Sequence, residues 1–84
     1  MEIFTEKEAK ILLEYYSKKI VGKPISNGVD YKIDHLESKS FGKDKINIFC
    51  ISLHNYSLYH RKLTEYIKDF NLISPEEVLK NQDL

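Results

Sequence analysis

The chain is short of the features by which small proteins usually declare their chemistry. It has a single cysteine, Cys50, so no disulfide can form within it, and that thiol lies in the most apolar stretch of the sequence. A lone apolar cysteine points to a reducing compartment and a thiol packed as a small hydrophobe, and the expected location is cytoplasmic. There is no tryptophan, and the three glycines form no phosphate-cradling loop. Neither sign of charge is in excess: 13 basic residues face 13 acidic ones, with 7 against 7 over 1–42 and 6 against 6 over 43–84. Nucleic-acid binders generally carry a basic excess or stripe, so the balance counts against that class. No apolar run approaches the roughly 18 residues of a membrane span. The first residues, Met1-Glu2-Ile3-Phe4-Thr5-Glu6, lack the basic-then-apolar order of a secretory signal.

Recognisable catalytic and metal signatures are missing too. The soft and imidazole ligands are His35, Cys50, His54 and His60, but Cys50-x3-His54-x5-His60 is not a paired ligand spacing. Along a strand Cys50 and His54 would stand about 13 Å apart, too far to share an ion. Ser52, His54, Ser57, Tyr59 and His60 include nucleophile and base types, yet no nucleophile elbow holds any of them. No carboxylate pair sits in apolar surroundings that would split two pKa values. The expectation is a protein that is not an enzyme and uses neither metal nor cofactor.

What is present is patterning. At 84 residues the chain is one small domain, with a core modest enough for association to add stability. Ile46-Asn47-Ile48-Phe49-Cys50-Ile51-Ser52-Leu53 is the most apolar run and reads as a strand covered on both faces. Thr5-Glu6-Lys7-Glu8 fits a capping box, and Ala9, Leu12, Leu13, Tyr16 and Ile20 recur at helical spacing. Gly22 and Pro24 then close a helix over about 6–21. Val29, Tyr31, Ile33 and His35 alternate with Asp30, Lys32 and Asp34, predicting a strand over about 29–36. The polar stretch 37–45 reads as the hairpin loop into the strand at 46–53. Tyr56, Tyr59, Leu63, Tyr66, Ile67 and Phe70 share a helical arc, predicting a helix over about 56–70 capped by Asn55 or Ser57. Ser74-Pro75-Glu76-Glu77 starts a short helix over about 75–81. The predicted fold is α+β in the order α-β-β-α-α, an antiparallel hairpin against two helices with a short C-terminal helix.

Register then suggests an interface. If Tyr31, Ile33 and His35 lie beside Phe49, Ile51 and Leu53 on the helix-packed face, Ile46, Ile48 and Cys50 fall on the opposite one. With Ile11 and Tyr15 on the flank of the first helix, these five residues form an apolar surface suited to a protein partner or a second copy. Six tyrosines support this reading, since tyrosine joins contact area to a polar handle. Because a two-stranded sheet is marginal alone, strand 46–53 is expected to gain a neighbour by pairing edge to edge or face to face in a C2 dimer. The alternative surface is basic: Lys39, Phe41, Lys43 and Lys45 on the hairpin, with Arg61, could track phosphates and stack a base.

Overall fold

The computed structural model describes residues 3–22, 32–54 and 57–81, with Leu53 and His54 described through their backbone. Helix α1 spans Glu6–Ile20. Its capping box is complete: the Thr5 amide donates to Glu8 Oε1 at 2.9 Å, and the Glu8 amide donates to Thr5 Oγ1 at 3.2 Å. Two of the amide groups that any helix start leaves unpaired are satisfied this way. Ala9, Leu12, Tyr16 and Ile20 are the buried stripe. Gly22, at φ +85°, turns the chain out of the helix and donates its amide to the Ile33 carbonyl at 2.9 Å.

Three antiparallel strands follow: β1 (Ile33–Ser40), β2 (Ile46–His54) and β3 (Ser57–Lys62), with β2 in the centre. Two short helices, α2 (Leu63–Asp69) and α3 (Pro75–Asn81), complete the order α-β-β-β-α-α. The α+β class is as the patterning predicts, with one strand more. Residues 57–62, expected as the first turns of a helix, are a strand instead. Leu58 and His60 alternate there with Tyr59 and Arg61, and local pairing with β2 outweighs the helical arc that Tyr59 shares with Leu63 and Tyr66. The helix begins at Leu63, where the Lys62 amide donates to Glu65 Oε2 at 3.2 Å. The third helix starts as expected, with the Glu77 amide donating to Ser74 Oγ at 3.3 Å.

Strand β1 also differs from expectation. Its described span opens at Ile33, and it runs on through Glu37-Ser38-Lys39-Ser40, which the polarity assigns to a loop. Only the tip 41–45 turns, with the Phe41 amide bonded to the Lys45 carbonyl at 2.8 Å and Asp44 at φ +56°. The expected strand residues Val29 and Tyr31, and the cap and helix positions Asn55 and Tyr56, lie outside the described residues.

The faces of the sheet are exchanged relative to the expected register. Ile33 pairs with Ser52, but His35 pairs with Ile51, and the irregularity between them makes Asp34 an extra residue in β1. A bulge of this kind reverses the parity of a strand. Ile33 therefore shares the helix-packed face with Leu36, Ile46, Ile48 and Cys50, while His35 turns to the other face beside Phe49 and Ile51. Phe4, Leu12, Tyr16, Ile20, Ile33, Ile48, Cys50, Leu63, Tyr66 and Val78 form one continuous core. No described helix is long and apolar enough to cross a membrane.

Candidate interaction surface

The five residues expected to form one apolar interface are not brought together. Ile48 is 1% exposed and Cys50 0%, because the bulge assigns their face to the helices. Burial pushes the Cys50 thiol up to about 12, so it remains protonated and inert as a nucleophile. Ile46 is half-buried, and its amide and carbonyl both bond Phe4, at 3.0 and 2.8 Å. Ile11 and Tyr15 do stand together. With Glu14 and Lys18 they line a shallow cleft of about 180 Å³ on the flank of α1. The Tyr15 ring is held there edge-on against Tyr16 at 5.0 Å, with Lys19 Nζ 5.5 Å from its centroid.

The basic set is divided as well. Phe41, Lys43 and Lys45 are exposed at the hairpin, and Lys39 Nζ lies 5.1 Å from the Phe49 ring on the face turned away from the helices. Arg61 lies on the opposite face. Its guanidinium stacks 4.8 Å over Tyr66, bonds Glu65 Oε1 at 3.3 Å and approaches Asp69 Oδ2 at 4.0 Å. Two carboxylates and an aromatic ring thus occupy the cation a phosphate would need.

On the outer face, His35 and His60 flank the buried Ile51, each paired with it across the sheet. Both nitrogens of the His35 ring are engaged, Nδ1 with Asp34 Oδ2 at 2.7 Å and Nε2 with Glu37 Oε1 at 2.9 Å. These bonds, Glu37 first and Asp34 second, raise the His35 pKa, and the His35 bond lowers that of Glu37. The raised histidine stabilises the fold below its ordinary value near 6.5, and this is lost as pH rises through the folded value. The lowered carboxylate contributes above its ordinary value and loses that contribution as pH falls. The bridge is therefore strongest in mildly acidic solution. His35→Gln is expected to reduce stability most near pH 6 and to match the parent by about pH 9. Urea unfolding of both proteins across that range checks it, and a constant difference would remove the charge from the explanation. Among the described residues no cluster of three or more His, Cys, Asp or Glu side chains is placed to hold a metal ion.

The third strand adds a sheet edge: among the described residues no strand pairs with the outer side of β3. Which backbone groups it presents follows from alternation. Ile46 gives both of its bonds to Phe4, and Lys45 accepts from Phe41 across the hairpin. Even-numbered residues of β2 therefore bond towards β3, and odd-numbered ones towards β1. Cys50 with Arg61, Ser52 with Tyr59 and His54 with Ser57 are then the hydrogen-bonded pairs of the β2–β3 ladder. Leu58, His60 and Lys62 direct their amides and carbonyls outwards. The Lys62 amide is taken by Glu65, so among the described residues Leu58 and His60 are the rungs that present both an amide and a carbonyl. Leu58 is 60% exposed.

The two outer strands are defended unequally. Strand β1 carries a bulge, alternating charges at Asp34, Glu37 and Lys39, and the Gly22 amide on its first carbonyl. Bulges and charges are the usual means of discouraging edge pairing. Strand β3 has neither bulge nor proline, its charges Arg61 and Lys62 lie at its end, and its middle is Leu58-Tyr59-His60. The alternation of Leu58 and His60 against Tyr59 is the signal that could have revealed it. Comparison of the chain with protein-family models, curated proteins and solved structures finds no match.

Proposed function

We propose that this chain is a cytoplasmic protein-interaction module without catalytic activity, and that it binds a partner by adding the partner's strand to β3. The observation that supports this most directly is the pair of outward rungs at Leu58 and His60 beside an exposed apolar side chain. In strand addition the backbone bonds supply affinity and alternate side chains supply choice of partner. The cleft at Ile11 and Tyr15 is a second apolar contact on the same chain. The basic alternative has less support, since Lys39 and Arg61 point to opposite faces and Arg61 is bound internally. Catalysis has less again, because both nitrogens of His35 are held by carboxylates and Cys50 is a buried neutral thiol.

A display library of random peptides, selected against the immobilised protein, tests the reading. Selected peptides are expected to slow amide exchange at Leu58 and His60. They should bind His60→Pro at least tenfold more weakly, since one missing edge bond and a blocked approach cost on the order of 1.4 kcal/mol. The substitution should leave the fold intact, because proline is tolerated on an edge strand where its missing amide faces outwards. Binders that leave both amides unprotected and ignore His60→Pro would count against strand addition.

A further inference from the structure

We infer that the strand taken up by β3 is the β3 of a second copy, paired antiparallel about a two-fold axis at Tyr59. This rests on the strand-addition reading above and names its partner. The register follows from the rungs that remain. Leu58 and His60 each present an amide and a carbonyl, while the Lys62 amide is already bonded to Glu65. A two-fold axis at Tyr59 sets Leu58 opposite His60 of the second copy and His60 opposite its Leu58. The amide and carbonyl of both Leu58 and His60 on each copy are then satisfied. An axis one residue further on, at His60, would pair Leu58 with Lys62 and ask for the amide that Glu65 holds.

The side chains agree with this register. Ser57 faces Arg61 of the second copy, so no like charges meet directly across the new ladder, and like charges there would be destabilising. Both Tyr59 rings meet at the axis, in the closer, non-hydrogen-bonded type of pair. The chain carries no net charge at pH 7, so two copies approach without long-range repulsion. The product is a continuous six-stranded sheet with β1 at both ends, which places the bulged, charged strand on the outside. That arrangement covers the less defended edge and leaves the bulged, more heavily charged one exposed.

Light scattering after size exclusion, over a dilution series, is expected to give twice the 9.9 kDa of the chain, falling to one copy for His60→Pro. Under mild oxidation Tyr59→Cys is expected to form a disulfide between copies nearly completely. Directly opposed residues of this pair type have Cα atoms about 4.5 Å apart, within disulfide range. Leu58→Cys should not cross-link, since the two copies of that position lie diagonally, beyond about 7 Å. The buried Cys50 does not compete. A parent protein that remains monomeric at every concentration would overturn self-pairing. If that monomer still takes up peptides at Leu58 and His60, strand addition stands and only the identity of the strand is wrong. A dimer that survives His60→Pro, or that cross-links through Leu58→Cys but not Tyr59→Cys, would overturn the pairing as well.

Discussion

Ile48→Asp is expected to unfold the isolated chain. Ile48 is in the centre of β2, 1% exposed, within the core that includes Leu12, Tyr16 and Ile33. Removing a buried aliphatic side chain costs about 2–5 kcal/mol, and a carboxylate in its place adds the penalty of an unpaired buried charge. A domain of this size has total stability of about 4–13 kcal/mol at the usual stability per residue. The substitution should therefore consume most or all of it, and the far-ultraviolet circular dichroism of α1 should collapse. Tyr15→Asp, half-exposed at the α1 cleft, is the contrast and should remain folded. If Ile48→Asp instead kept full helical content and lost only self-association, its side chain would belong to an interface and the packing of the helices on that face would be wrong.

The reason Ile48 changes from surface to core shows how far the sequence could be read. Helix α1 was legible almost to the residue, because the Thr5–Glu8 box, the apolar stripe and Gly22 are local signals that agree with one another. The short helix at Pro75 was legible for the same reason. The central strand was legible as a strand, but which side of it would be buried was not. Side-chain direction has a period of two, so the single extra residue at Asp34 moved the whole apolar set Ile46, Ile48 and Cys50 from one face to the other. A bulge leaves little trace in composition: Ile33 and His35 look like neighbours on one face until the pairing with β2 is known.

Strand β3 was missed for a related reason. Tyr59 fits both a helical arc with Leu63 and Tyr66 and a strand alternating with Leu58 and His60. Only long-range pairing with β2 separates the two. Of the residues expected to form an apolar surface, Ile11 and Tyr15 stand together because both lie on a legible helix. Leu58 and His60 were not legible, because an edge exists only once the strand does.

Tyr16→Ala is the second substitution with a large expected effect, and Tyr16→Phe divides its causes. Tyr16 is fully buried on α1, and its hydroxyl donates to the Ile73 carbonyl at 2.5 Å. That bond ties the first helix to the segment leading into α3. Truncation to alanine removes a buried ring and should cost about 3–5 kcal/mol. Truncation to phenylalanine keeps the ring and leaves the Ile73 carbonyl without its donor, at about 1–3 kcal/mol. The order should be parent, then Tyr16→Phe, then Tyr16→Ala in urea at neutral pH. The phenol adds a second, opposite signature. Burial, with Tyr15 and Glu76 nearby, raises the Tyr16 pKa well above its ordinary value. A neutral buried phenol contributes fully below the unfolded value near 10, and this is lost as pH rises towards the folded value. The parent should therefore lose stability between about pH 9 and 11 faster than Tyr16→Phe, which has no phenol to ionise at that position. A gap that narrows with pH assigns the contribution to the neutral hydroxyl and its bond to Ile73. A gap that stays constant would mean that Tyr16 ionises in the folded protein as readily as in the unfolded chain, and the burial of its hydroxyl against the Ile73 carbonyl would be wrong.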